Sequence, residues 1–207
     1  MEAIYGLIGV LLGAFLTAIN EILKEKREKK KKAEFLAIRL TIIFEDFIQS
    51  CVEVVNDDGS MGGPSNDGCK YISAKAPEIN FQTLDVEWQC LPFDLLYEIL
   101  HFPALLKEAN RKISEEFDIS GAPDYEEGFE ARQYQFSRLG LLAVQISKKL
   151  RSEFKMPEKH YEDFDPIEFL QDNKKKIDEK RIKQEKNTKN YQYNLPNNSL
   201  NTEIDRY

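Results

Sequence analysis

The chain has 207 residues and a formal net charge of −7, with 31% charged and 42% hydrophobic residues. Its mean hydropathy of −0.52 predicts that most of the chain is soluble. The acidic balance argues against general nucleic-acid binding, which needs a basic face. Three cysteines without a C-x-x-C pair and two histidines predict neither a disulfide framework nor a zinc site, so we expect no metal and no cofactor.

The charge changes sign along the chain. Residues 1–32 sum to +3, residues 33–173 to −14, residues 174–190 to +5 and the last 17 residues to −1. Together with the hydropathy, these blocks predict four parts: a membrane anchor at 1–23, a basic segment at 24–32, an acidic helical domain at 33–173, and a basic segment with a disordered tail at 174–207. Whether the lysine-rich part of the last block touches lipid or nucleic acid, or is a solvated, partly helical tail, stays open.

The first block contains an apolar run. Ala3 to Ile19 has no charged side chain, and only Thr17 interrupts it, in the stretch IYGLIGVLLGAFLTAINEILKEKREKKKK. As a helix it spans about 26 Å, close to the thickness of the hydrocarbon core. A secretory signal would need basic residues before the run and a cleavage site after it, whereas Glu2 precedes it here. We expect a transmembrane helix rather than a core helix of a soluble domain.

Basic residues follow the run directly, and they predict its orientation. Cytoplasmic flanks carry the excess of lysine and arginine, so the N-terminus should lie outside and the following domain in the cytoplasm, as in a single-pass protein of the inner membrane. The same side chains should bind lipid head groups. They are Lys24, Lys26, Arg27, Lys29, Lys30, Lys31 and Lys32.

Small residues lie on one face of the predicted anchor. Gly9 and Gly13 form a G-x-x-x-G, Thr17 extends this face, and Gly6 lies beside it. Such residues allow two helix backbones to approach in a membrane. We therefore expect helix packing at these four positions and a homo-oligomer through the anchor, although glycine is also simply tolerated in lipid.

The acidic domain begins with a helical pattern over 33–56, in which apolar residues recur every three or four positions. No helix breaker separates this pattern from the anchor, so the two can form one rod. The glycine-rich and acidic stretch at 57–69, DDGSMGGPSNDGC, predicts a mobile loop. Around 70–90 the sequence allows short extended segments or a small β-hairpin.

Three further helical patterns complete the domain. LPFDLLYEILHFP predicts a helix from Pro92, and Pro103 should start another that runs to about Phe117. A long apolar stripe predicts a helix that begins near Pro123 and packs against 33–56. In FDPIEF, Asp165 is a candidate N-cap with an apolar pair at Phe164 and Phe169. From about Asn187 onward we expect disorder. The predicted fold is all-α.

No nucleophile and base motif is present, so the sequence predicts no catalytic residue. The acidic helix start at Glu126, Glu127 and Glu130 lacks the Glu-x-x-His of a metal carboxylate bundle. Together with Trp88 and Tyr134, these carboxylates are instead candidates for a partner surface. We therefore expect an interaction or adaptor protein with an unknown protein partner. The alternative is a membrane-tethered enzyme, similar to a hydrolase, whose site forms only in space.

The overall layout resembles that of bacterial single-pass membrane proteins of uncharacterised function. The shared features are a short G-x-x-x-G anchor at 9–13, a basic stop at 24–32 and a helical domain of about 150 residues behind it. The resemblance concerns architecture along the whole chain and includes no catalytic motif. It implies a cytoplasmic helical domain held at the bilayer, and no particular activity.

Overall fold

The computed structural model describes residues 2–60, 68–81 and 84–193, with side chains described from residue 12 to residue 188 within these ranges. Its helices are α1 (Glu2–Asn56), α2 (Phe93–Ile119), α3 (Glu126–Glu153) and α4 (Pro166–Tyr193), with a short 3-10 turn at Trp88–Cys90. No strand occurs in these ranges, which confirms the predicted all-α fold and helical bundle.

The first helix is a single rod of 55 residues, about 80 Å long, as the absence of helix breakers predicted. Its described side chains are all exposed up to Lys32, and the buried face starts at Ala33. About half of α1 therefore projects beyond the bundle. Within the residues that the structure describes, no helix combines the length and the apolar character needed to cross a membrane.

The third helix is the centre of the bundle, because α1, α2 and α4 all pack against it. It runs antiparallel to these three helices. Leu36, Leu40 and Phe44 of α1 and Phe136 of α3 are among the fully buried side chains of the shared core. At Gly140 an added Cβ would lie 3.2 Å from Cys51 Cβ, so the glycine permits close packing of α3 on α1. The predicted pairing of these two helices is confirmed.

The second helix continues through Pro103, which corrects the prediction that a new helix starts there. Proline has no N–H, so one backbone hydrogen bond inside α2 is lost. The aromatic packing of the residue directly before that point holds the helix together. Phe102 is fully buried, and its ring lies edge-on against Phe44 and Phe47 at centroid distances of 5.2 and 5.0 Å. Tertiary packing thus overrides the local break.

An extended segment, described at residues 68–81 and 84–87, leads from the far end of α1 to the start of α2; we call it the strap. It forms no strand in these residues, so of the two alternatives for 70–90 the extended segment is found there and the β-hairpin is wrong. Phe81 and Leu84 are buried against α1 and α2, and they anchor the strap to the core. The strap runs back along the bundle, and α2 is consequently parallel to α1.

The fourth helix starts as predicted. Asp165 Oδ1 accepts a hydrogen bond from the Ile167 N–H at 2.7 Å, and the Phe164 and Phe169 rings lie 5.6 Å apart as a hydrophobic staple. The lysine-rich segment is more than a solvated tail, because Ile177 is buried and α4 packs on α3. The helix continues to Tyr193, beyond the expected start of disorder. Residues 194–207 of the predicted tail lie outside the described residues.

Candidate partner-binding groove and its polar surroundings

The predicted anchor face is described only in part. Gly6 and Gly9 lie in α1, but their surroundings are outside the described residues. A Cβ added at Gly13 would meet nothing within 4 Å, and Thr17 Oγ1 donates a hydrogen bond to the Gly13 carbonyl at 2.9 Å. The small-residue face is therefore open where it is described. Its role in helix packing stays a prediction.

The predicted head-group lysines and Arg27 are exposed on the projecting part of α1. Two of them have partners in the described part of the chain. Lys30 Nζ lies 3.7 Å from Glu34 Oε1 on the same helix, and Lys32 Nζ lies 2.5 Å from Glu87 Oε1, at the end of the strap. This contact raises the pKa of Lys32, chiefly through the hydrogen bond to Glu87. The contact holds the end of the strap, and with it the start of α2, beside the point where α1 enters the bundle.

The acidic start of α3 is occupied by α4. Lys180 Nζ lies 2.7 Å from Glu126 Oε1 and 2.7 Å from Glu130 Oε2, and Arg181 Nε lies 3.4 Å from Glu130 Oε1. The hydrogen bond from Lys180 lowers the pKa of Glu126. Glu127 remains exposed. These carboxylates therefore hold the lysine-rich helix in place, which leaves less of the predicted partner surface free.

The two aromatic candidates for that surface also have contacts within the chain. The Tyr134 ring stacks against Arg181, whose guanidinium carbon lies 4.2 Å from the ring centroid. Trp88 packs edge-on against Phe81 of the strap at 5.8 Å between centroids. The five predicted residues do not form one patch, because Trp88 lies at the start of α2 while the others lie at the start of α3.

A buried ion pair that the sequence did not indicate lies at the end of α1. Asp57 and Arg132 are both almost fully buried, and Arg132 Nη1 lies 3.1 Å from Asp57 Oδ2. The carboxylate also accepts hydrogen bonds from the N–H groups of Gly59, Ser73 and Ala74 and from the Ser73 hydroxyl, at 2.9 to 3.1 Å. Asp57 therefore binds the beginning of the strap to the bundle.

The protonation of this pair follows from its partners. Burial alone would raise the pKa of Asp57, but the hydrogen bonds from Ala74, Ser73 and Gly59 lower it below its usual value. Burial lowers the pKa of Arg132, and the charge of Asp57 opposes that shift. Arg132 Nη2 also donates to the Ala74 carbonyl at 2.5 Å. The pair is ionised at neutral pH and fully bonded, as a structural tie.

A second polar cluster fastens the loop between α3 and α4 to α1. Glu45 binds Arg151, and Lys159 Nζ lies 2.9 Å from Glu45 Oε2. Burial would raise the pKa of Glu45, and the hydrogen bonds from Arg151 and Lys159 lower it. Arg151 also donates to the Pro157 carbonyl. The cluster lines a polar cleft together with His160 and Tyr161.

The start of α2 presents a different kind of surface, which we call the α2 groove. Phe93 is 78% exposed, Tyr97 61% and Leu100 48%, at the spacing of four and three residues that places them on one helical face. A groove of about 680 Å³ between α2 and the end of α3 is lined by the first two of these and by Asp94, Glu98, Lys149 and Glu153. An apolar floor with an acidic rim is typical of a site for a basic amphipathic helix.

His101 and Glu130, two polar groups that could contribute to an active site formed only in space, are not brought together. His101 stacks on Tyr97 with ring centroids 5.6 Å apart. Glu130 instead lines a groove with Lys112 and Glu116 of α2. Lys112 lies 11 residues beyond His101 on α2, which is about 16 Å along the helix. Within the described ranges, no group of three or more His, Cys, Asp or Glu side chains is placed to hold a metal ion.

Comparison with known protein families, curated proteins and solved structures gives no match to this chain.

The α2 groove and the Asp57–Arg132 pair were both missed from the sequence. Phe93, Tyr97 and Leu100 have helical spacing, but so do the buried Leu95, Ile99 and Phe102, and periodicity alone does not tell which face is covered. Asp57 was assigned to a loop on composition. A usable signal was its position directly after a helix, in Asp-Asp-Gly-Ser, where aspartate commonly accepts backbone hydrogen bonds.

Proposed function

We propose that this protein is a membrane-anchored, cytoplasmic interaction or adaptor protein, and that its partner binds the α2 groove as a basic amphipathic helix. The observation that carries this proposal is the exposed apolar face of Phe93, Tyr97 and Leu100 beside an acidic rim. Large apolar side chains that line up on an otherwise polar bundle favour a protein-binding surface.

The anchor in this proposal rests on the sequence and on the exposure of α1. The run from Ala3 to Ile19 begins nine residues before the first described side chain. Its described part and the turn that follows expose large apolar side chains with no cover from the bundle. These are Leu12, Phe15, Leu16, Ile19, Ile22 and Leu23. A lipid environment would cover them, and the lysines behind them favour the cytoplasmic side for the bundle.

The acidic rim favours a basic partner. Asp94, Glu98 and Glu153 line the groove against one lysine, Lys149, which already lies 2.5 Å from Glu98 Oε1. A helix that places apolar residues on Phe93 and Tyr97 would have its flanks beside these carboxylates. Lysine or arginine at the flanks then fits, and acidic residues are repelled.

The anchor is tested by fractionation and by a topology fusion of the full chain. We expect the protein in the membrane fraction, resistant to carbonate extraction, and an alkaline phosphatase fused after Tyr207 to be inactive. Deletion of residues 2–23 should release the bundle. Recovery of the full chain in the soluble fraction would refute the anchor, and an active fusion would reverse the orientation.

The partner site is tested by photo-crosslinking in cells, with a crosslinking amino acid at Tyr97 and, as a matched control, at the exposed Asn110 of the same helix. We expect one stoichiometric protein adduct from position 97 and none from position 110. Adding Phe93→Asp should abolish the adduct and leave the helical content unchanged. Equal adducts at both positions, or an adduct that survives Phe93→Asp, would refute the groove.

A further inference from the structure

The first helix carries a second apolar face, which points away from the bundle. Phe35 is 61% exposed, Ile38 47% and Ile42 54%, while the opposite face with Leu36 and Leu40 is buried in the core. The spacing of three and four residues is the a/d pattern by which one helix packs along another. We call this the outer face of α1. No other described part of the chain covers it.

The charges beside the outer face are complementary to a second copy in parallel orientation. We assign Phe35 and Ile42 to heptad position a and Ile38 to heptad position d. Glu34 then falls at heptad position g, and Arg39 falls at the following heptad position e. In a parallel pair the g residue of one helix faces that e residue of the other, so Glu34 and Arg39 pair twice across the two-fold axis. Arg39 is available for this, because its one side-chain interaction in the described part of the chain is with the Phe35 ring. Glu34 has an exposed partner on its own helix, Lys30 at 3.7 Å, and an exposed pair of this kind is weak enough for Arg39 of a second copy to share or replace it.

The same face of α1 continues into the predicted anchor. Thr17 and Phe35 are 18 residues apart, about five turns, and Gly6 and Ile42 are 36 residues apart, about ten turns. In an unbroken helix, the open small-residue face and the outer face therefore point in one direction. Lys24, Glu28 and Lys31 lie between them close to this line. Anionic head groups would reduce the repulsion between the lysines of two copies.

The size of the outer face shows why the anchor matters. With about 200 Å² for a fully exposed large apolar side chain, the three residues offer roughly 300 Å² per copy, or about 600 Å² for two. Stable interfaces bury about 1,200 Å² or more. The outer face alone is thus too small, and confinement of two copies in one bilayer by their anchors supplies the missing effective concentration.

We infer that the protein forms a parallel two-fold dimer along α1, in which Phe35, Ile38 and Ile42 pack on a second copy and Glu34 binds Arg39 of that copy. This inference rests on the proposed membrane anchor. It adds a cytoplasmic contact to the packing of the anchor, and it leaves the α2 groove of each copy free for the partner.

The test uses disulfide crosslinking of the full chain in native membranes, with Cys69 and Cys90 changed to serine. In a parallel dimer Ile38 faces itself, so Ile38→Cys should form dimers at least about tenfold faster than the control Asn110→Cys. Ile38→Cys that crosslinks no faster than Asn110→Cys, in protein found in the membrane, would overturn the inference. Crosslinking between coexpressed copies with Phe35→Cys and Ile42→Cys that is faster than crosslinking of either variant with itself would overturn it in favour of an antiparallel pair.

Charge reversal distinguishes a paired interface from mere proximity in the membrane. Glu34→Arg and Arg39→Glu each turn two attractive pairs into repulsive ones, and each should slow crosslinking at Ile38 about tenfold. The double variant E34R/R39E restores both pairs and should recover the original rate to within about twofold. A double variant as slow as either single variant would overturn the inference.

Failure of the anchor gives a separate result. If fractionation places the protein in the soluble phase, the anchor proposal is refuted. Crosslinking at Ile38 in that fraction would still support the outer face, and its absence there would overturn the inference as well.

Discussion

Replacement of Asp57 by alanine should remove a large part of the stability of the bundle. The change deletes the acceptor of four hydrogen bonds from Gly59, Ser73 and Ala74, and it leaves the buried Arg132 charge without its carboxylate at 3.1 Å. Removing one partner of a buried pair costs about 3–5 kcal/mol. Because domains of this size are stable by about 5–15 kcal/mol, the loss should shift unfolding strongly.

The measurement is urea unfolding of the full chain in mild detergent, followed by the fluorescence of the single tryptophan and by helical circular dichroism. Trp88 packs on Phe81 of the strap and reports its release directly. The matched control is Asp58→Ala, since Asp58 is exposed and its carboxylate accepts hydrogen bonds from the neighbouring Ser60 rather than from the strap. Its unfolding midpoint should change little.

A second variant separates the buried charge from the lost hydrogen bonds. Adding Arg132→Met to Asp57→Ala removes the unpaired charge, so the double variant should regain at least about 1 kcal/mol relative to Asp57→Ala. The reasoning is refuted if Asp57→Ala costs less than about 1 kcal/mol, or if the double variant is no more stable than Asp57→Ala alone.

Three further predictions concern the same bundle. Gly59→Ala should destabilise by more than about 1–2 kcal/mol in urea unfolding, because Gly59 has φ +81° and a Cβ would overlap the Phe129 ring; a neutral effect would contradict this. Ile177→Asp should release α4 and make residues 174–188 susceptible to protease, whereas Lys183→Asp, at an exposed position of the same helix, should not. Equal cleavage of both variants would show that the segment is a solvated tail and is not packed on the bundle. The pKa of Asp57 in the folded protein lies below its ordinary 3.8, so its contribution to stability is complete at neutral pH and is lost as pH falls below about 4 through the folded value. Asp57→Asn should therefore flatten the decrease of the unfolding midpoint at acid pH. An unchanged slope would contradict this prediction.

The core of the bundle could be predicted because apolar spacing determines it. The stripe from Phe129 through Leu139 to Leu150 is buried along α3 as its periodicity predicted, and the cap at Asp165 follows from the local sequence alone. Pro103 was misjudged because the packing of Phe102 on α1 is a tertiary contact. The same holds for the acidic turn at Glu130, whose partner on α4 lies about 50 residues further along the chain.

The strap connects the two ends of the bundle and sets where the α2 groove lies. At one end Asp57 fixes Ser73 and Ala74, and at the other Glu87 binds Lys32 beside the entry of α1. A short turn after α1 would have made the next helix antiparallel and placed its start at the far end of the bundle. Because the strap returns along the bundle first, α2 begins on the side from which α1 projects. The groove with Phe93 and Tyr97 therefore lies at the end of the bundle nearest the proposed membrane anchor, and the proposed partner helix would bind at that end.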